Sequence, residues 1–308
     1  MSRSIKLLLL LLVLQTGLVA WINLPGDDPG ASEADKPLLA LDAEGMDAVT
    51  IEQQGEAPLR MERKEDRWVL PGSGDFPVSS AKFDQFTEKL LGARRSWPVG
   101  KTLVAARQFK VTPDQFERRV RLLQGTEVLG DVFLGSSPGF RKVHARLDGD
   151  PQTYAVDFNA FDAPVEADSW YDTEVLKTAA EEIARIDLGA YALTAGDGGF
   201  QVEGLRENEE TDAEPVRELV ERVTGTDFTG VLSEDGKALF EAGKPVVEYT
   251  IEMKKGSAIK HTVVSPEEGD HYILKSTAQP HYFEVDKDRF DKLRNTSRVQ
   301  VVKGVASG

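Results

Sequence analysis

The chain has 308 residues, 40 % hydrophobic and 29 % charged, a globular composition long enough for about two domains. Its 37 Lys and Arg against 52 Asp and Glu leave a net charge of −15, which repels phosphate backbones and argues against nucleic acid as a partner. There is no cysteine, so disulfides, thiol catalysis, iron–sulfur clusters, Cys-based zinc sites and a lipid-modified N-terminal cysteine are ruled out.

Met1–Lys6 is short and basic, and Leu7–Leu24 then runs without a charge. As a helix that stretch spans roughly 27 Å, close to the hydrocarbon core of a bilayer. Trp21 falls near its far end, where an indole meets the headgroups, and Pro25-Gly26 stops it. Arg3 and Lys6 precede it; Asp27, Asp28, Glu33 and Asp35 follow. Positive charge on the near side places the N-terminus in the cytoplasm and the bulk of the chain outside, on the periplasmic side of an inner membrane. A cleaved signal peptide competes with an uncleaved anchor. The nearest cleavage site, Leu18-Val19-Ala20, has a poor residue at −3, and length and Trp21 favour the anchor. Residues 25–39, rich in Pro, Gly and acid, read as a tether.

Beyond the tether, strand and helix patterns alternate. Ala48–Gln53 and Leu59–Lys64 alternate apolar and polar residues around Gly55 and Pro58, a hairpin signal, and Arg67–Leu70 gives a third strand. Phe83, Phe86, Leu90 and Leu91 then share one helix face, with Ser79 or Ser80 to cap its start and Gly92 its end. After a short linker helix come strands at Arg119–Leu123, Val128–Leu134, Arg141–Leu147 and Thr153–Phe158. The same order returns. Ile183–Leu188 echoes Met46–Ile51, Phe200 and Val202 echo Trp68 and Leu70, and Val216, Leu219, Val220 and Val223 echo the first helix. Thr211 to Glu214 reads as a capping box ahead of Pro215, and Gly225 closes the helix. Finally Tyr154–Asp157 with Phe161-Asp162 matches Phe283–Asp286 with Phe290-Asp291. Four matches in one order predict duplication; two unrelated domains sharing common patterns is the plainer alternative.

The expected fold is therefore α+β. An N-terminal transmembrane helix (1–24) and tether (25–39) lead into two similar units of mostly antiparallel sheet, each on one main helix, at 40–163 and 181–295. Residues 164–180 form a bridge that packs through Trp170, Tyr171, Val175 and Leu176, and 296–308 a tail.

The succession of V-T-I-E, R-W-V-L, F-x-x-F-x-x-x-L, V-F-L-G, Y-A-V-D, S-W-Y-D-T-E-V-L and E-I-A-R-I-D-L resembles the bacterial domain-of-unknown-function family 4340 over roughly residues 40–295. The resemblance brings no catalytic residues. It implies an envelope protein with one N-terminal membrane helix, encoded beside ABC-type transport systems related to gliding-motility auxiliary proteins, and hence an accessory or scaffold role.

No chemistry-bearing constellation stands out. His144, His261, His271 and His281 lack any metal-ligand spacing and read as exposed strand or loop residues, although a hairpin can bring two of the last three together. Gly135-Ser136-Ser137-Pro138-Gly139 lies between strands, which predicts a hairpin turn in place of a phosphate loop. The pairs Asp27-Asp28, Glu181-Glu182, Glu209-Glu210 and Glu267-Glu268 lack EF-hand spacing and read as solvated faces. Asp157 and Asp286 are expected to cap the turns that follow them. Arg94-Arg95 reads as favourable charge at a helix C-terminus, or as an anion site, and Trp68, Phe83, Phe86 and Phe133 as core. No catalytic residue, cofactor or metal is expected. The reading is a non-enzymatic, membrane-tethered accessory protein held by Leu7–Leu24 and bound to another envelope or transporter protein. The alternative is a periplasmic module holding a glycan or peptide between the two units. The first expects an exposed apolar patch on one unit; the second, a pocket between the units.

Overall fold

A computed structural model describes Gln15 and residues 36–41, 45–232 and 236–305. The expected anchor Leu7–Leu24, its alternative cleavage site, Asp27-Asp28 and most of the tether lie outside the described residues. Among the described residues no helix is long and apolar enough to cross a membrane.

The first half contains β1 (Ala48–Glu52), β2 (Leu59–Lys64), β3 (Arg67–Leu70), β4 (Phe76–Pro77), α1 (Ser80–Gly92), α2 (Leu103–Gln108), β5 (Val111–Thr112), β6 (Gln115–Phe116), β7 (Arg118–Gln124), β8 (Glu127–Leu134), β9 (Val143–Leu147) and β10 (Tyr154–Val156). The second contains β11 (Ile183–Asp187), β12 (Ala192–Gly196), β13 (Gly199–Val202), β14 (Glu209–Thr211), α3 (Ala213–Thr224), β15 (Gly230–Leu232), α4 (Gly236–Ala242), β16 (Lys244–Met253), β17 (Ala258–Ser265), β18 (Tyr272–Ser276), β19 (Tyr282–Val285), α5 (Lys287–Asn295) and β20 (Val302–Gly304). The result is a mixed α+β fold with antiparallel sheets and few helices.

Two eight-stranded sheets carry it, ordered β10-β9-β8-β7-β1-β2-β3-β4 and β13-β12-β11-β16-β17-β18-β19-β15. Seven strands of each follow one another in the same sequence-to-space order, and the eighth differs: β4 adds beside β3, whereas β15 adds beside β19. Three of the four sequence matches fall on β1 and β11, β3 and β13, and β10 and β19, which hold equivalent places in the two orders; the fourth falls on α1 and α3.

The apolar stripe of α1 (Phe83, Phe86, Leu90) is buried on one face of the first sheet. Trp68 stacks on Phe83 at 4.1 Å and Trp170 meets Phe86 edge-on at 5.3 Å. Val216, Leu219, Val220 and Val223 do the same for α3. Phe133 is core as expected, but on the opposite face of its sheet, with Ala106 and Val111, under α2 and the β5–β6 hairpin. The two halves meet through Phe76, which touches Tyr171, Phe228 and Phe283.

Several local expectations change. Thr211 forms no capping box, because β14 pairs it with Val302 and its hydroxyl accepts the Val202 N–H; Asp212 takes the N-cap position of α3 without a side-chain bond. Ser79 stands at the N-cap of α1, but only its carbonyl serves the helix, accepting the Phe83 N–H. Gly92 is the last helical residue, not the cap, and Gly225 caps α3 without a left-handed backbone. Asp286 caps α5 through the Arg289 N–H, as expected. Asp157 instead faces solvent and pairs with Lys142, and Asn159 caps the following turn. The stretch expected as a tail is built in: β20 pairs with β14 and Val301 is fully buried.

Truncating the helix stripes tests this packing. Phe86→Ala and Leu219→Ala each remove a buried side chain from under a helix, at an expected cost of about 2–5 kcal/mol, read as a lowered urea midpoint. A midpoint unchanged in either variant contradicts the assigned packing.

Candidate functional site

At one end of the first sheet, β8 turns into β9 through Gly135–Lys142. A side chain at Gly135 would lie 2.0 Å from the Phe109 carbonyl oxygen and 2.4 Å from that of Lys110, so only glycine admits this approach. Ser136 donates its N–H to the Phe109 carbonyl (2.9 Å), and its hydroxyl lies 3.0 Å from Nδ1 of His144. That ring stacks on Phe109 at 4.1 Å. The Ser137 hydroxyl accepts the Gly139 N–H and donates to the Lys142 carbonyl (2.8 Å). The Gly/Ser run is thus a hairpin tip, as its flanking strands imply, with both hydroxyls engaged in holding the tip.

The hydrogen-bonded tip presents Phe140, 87 % exposed, and Arg141, whose guanidinium lies 5.1 Å from the centre of the Phe140 ring. Arg141 has φ +57, a left-handed backbone that costs a non-glycine residue energy. Opposite stands the short turn Ala160–Asp162, capped by Asn159 and carrying Phe161, 85 % exposed. Between these walls lies a groove of about 640 Å³ whose lining includes Arg118, Lys142 and Val143. Arg118 donates Nε to the Ala163 carbonyl and Nη1 to that of Glu117, leaving Nη2 without a protein partner among the described residues. On its other side Phe161 borders a smaller groove along α1, of about 170 Å³, with Lys82 and Lys89.

Electrostatics set this face apart in an acidic chain. Lys142 and Lys89 are paired with Asp157 and Asp162, but Arg118 and Arg141 have no carboxylate partner among the described residues. Two phenyl rings in water beside two uncompensated guanidinium groups suit an apolar segment that carries a carboxylate. Neither Phe140 nor Arg118 was singled out in the sequence. The available signal was an aromatic directly after Pro138-Gly139, with no periodic partner to bury it. Phe161 aligns with Phe290, which is 1 % exposed on α5. The first half has a three-residue turn where the second has a nine-residue helix, so the same residue is released from the core.

The remaining candidates resolve into structural partners. Of the histidines expected at the surface, His144 and His261 are buried. His261 is 1 % exposed and stacks on Tyr249, its partner across β16 and β17, at 4.8 Å. Neither of its ring nitrogens has a hydrogen-bond partner among the described residues. Burial pushes its pKa down to about 4. His271 pairs with Glu284, and Nε2 of His281 lies 2.8 Å from the Gly74 carbonyl. The last three histidines are not brought together, and the described residues contain no cluster of three or more His, Asp or Glu suited to a metal. Glu182, Glu209 and Glu210 pair with Lys255, Arg298 and Lys303. Hydrogen bonds from Arg298 hold Glu209 down to about 2. Glu181, Glu267 and Glu268 face solvent. Arg95 neither neutralises the helix end nor stands free for an anion: its guanidinium donates to the Leu38 carbonyl, lies over the Tyr154 ring and faces Asp150 at 3.8 Å.

A family model described as Domain of unknown function (DUF4340) matches residues 68–243, a span that includes both walls of the groove. Comparison with curated proteins and with solved structures gives no match.

His261 makes stability depend on pH. The unfolded chain protonates this ring near pH 6.5 and the folded chain only near 4, so between those values the unfolded state binds more protons. The contribution is complete above about pH 7 and falls away as pH drops towards 4, by about 3 kcal/mol. Urea titrations of wild type and His261→Leu should diverge in slope across this window; parallel pH profiles contradict the assignment.

Proposed function

The chain belongs to the family described as Domain of unknown function (DUF4340), and on that premise we propose a non-enzymatic, membrane-tethered envelope accessory protein that docks another envelope protein through the Phe140–Phe161 groove. In this reading Leu7–Leu24 anchors the chain in the inner membrane with its bulk on the periplasmic side, and an ABC-type transporter is the partner class that the family resemblance implies. Residues 40–163 and 181–295 are duplicated units joined by 164–180, a reading supported by the common order of seven strands.

The observation that carries the proposal is the pair of nearly fully exposed phenylalanines on a braced hairpin tip and a capped turn. Exposed apolar area at a groove lined by Arg118, Arg141 and Lys142, with its one carboxylate, Glu117, paired to Lys110, suits a docking surface. A glycan or peptide between the units has less support. Phe76, Tyr171, Phe228 and Phe283 fill that junction.

Crosslinking of the full chain in native membranes tests the docking role. A partner recovered with wild type should be lost with Phe140→Ser/Phe161→Ser and weakened with Arg118→Gln, at unchanged protein abundance. Equal recovery with all three rejects the groove as the docking site. Topology has its own check: alkaline phosphatase fused after residue 60 should be active, and an inactive fusion alongside an active cytoplasmic reporter overturns the orientation.

A further inference from the structure

We infer that Trp97–Val104 rests on the lipid bilayer, giving the folded part a second membrane contact beside its anchor. The inference rests on the anchored reading of Leu7–Leu24. Lys36 follows the eleven residues 25–35, and its carbonyl accepts the Arg95 N–H at 2.8 Å while Pro37 bridges to Arg94. The chain arriving from the anchor is therefore pinned two residues before Trp97. Eleven residues reach about 40 Å at full extension, so the bilayer surface stays within reach of whatever lies at this root. Contact made there is intramolecular, and a modest apolar patch suffices for it.

The segment has the character such contact needs. Trp97, Leu103 and Val104 are 55 %, 61 % and 78 % exposed, and Val99 is exposed beside them. Hydrogen bonds hold the segment at three points. The Val99 N–H donates to the Thr153 carbonyl, the Thr153 N–H to that of Gly100, and Thr102 caps α2 by accepting the Ala105 N–H. The segment thus keeps large parts of four apolar side chains in solvent. Lys101 stands among them, exposed and without an ion pair among the described residues. An indole, short aliphatic side chains and a lysine able to reach the headgroups are the composition of an interfacial contact. Phe140 and Phe161, by contrast, flank a concave groove, which fits a protruding partner segment better than a flat lipid surface.

The absence of native cysteine makes a single-label test direct. The full chain carrying Val104→Cys, and separately Asp197→Cys in the exposed β12–β13 turn, is labelled with an environment-sensitive fluorophore. Each is reconstituted in nanodiscs of phosphatidylethanolamine and phosphatidylglycerol with brominated acyl chains. The label at 104 should shift to the blue and be quenched several-fold more than the label at 197. Trp97→Ser/Leu103→Ser should abolish that quenching while the chain stays in the disc. A label at 104 that behaves like the one at 197 overturns the inference. Alkaline carbonate washing of vesicles tests the anchor separately. If the wash releases the chain, the anchor reading fails, and the 104 label on full chain added to preformed vesicles of the same lipids decides the patch. Quenching there upholds the lipid contact and its absence rejects it.

Discussion

The register of β1 on β7 governs the first half. Ala48 faces Leu123 and Ile51 faces Val120, across an interval that contains β2 to β6 and the helices α1 and α2. In this register Val120 and Leu122 enter the core under α1, while Arg119 and Arg121 face the other side. There they meet Asp131 and Glu52, and Arg119 covers the Phe133 ring. A slip of one residue would drive both arginines into the core, so the pairing is strongly specified. Because α1 lies within the interval that β1 and β7 close, it lies on one face of the sheet, and β8, β9 and β10 add outward in turn. β16 serves β11 in the same way: Ile186 pairs with Ile251 inside, and Arg185 meets Asp187, Glu203 and Glu252 outside.

The groove follows from that order. Adding β8, β9 and β10 outward brings the β8–β9 tip and the turn after β10 to the same end of the sheet. The close approach at Gly135 and the Ser137 bonds fix one wall, and Asn159 fixes the other. Phe140 and Phe161 are thus exposed on braced backbone, so the docking proposed for them would lose little ordering entropy. The second half fills the equivalent place with α5 and buries Phe290. One architecture, with a different closing element, yields a packed end in one half and an open one in the other.

Most of the elements were legible because their signals are local. Period-2 strands such as Leu59–Lys64, the stripe of α1, the Gly/Ser hairpin and the Asp286 cap all depend on neighbours in sequence. Other features depend on partners distant in sequence. His261 sits between the polar Lys260 and Thr262, but its strand face carries Ile259 and Val263, and Tyr249 across the β16–β17 ladder stacks on it inside the core. Thr211 has a capping-box pattern, yet β20, ninety residues downstream, claims it for a strand. The Arg95 guanidinium is directed by Leu38, Tyr154 and Asp150, none of them near it in sequence. Phe161 was visible only through its match to Phe290, and its exposure comes from the helix that is missing beneath it.

The central claim is that the open end of the first sheet, and not the junction between the sheets, meets the partner. Hydrogen exchange on the full chain, in native membranes and after purification away from them, tests this most directly. Peptides covering 135–143 and 158–163 should be protected in native membranes and lose that protection on purification, while those covering Phe76, Phe228 and Phe283 stay constant. Unchanged exchange at the two walls of the groove, with altered exchange at the junction, would contradict the account.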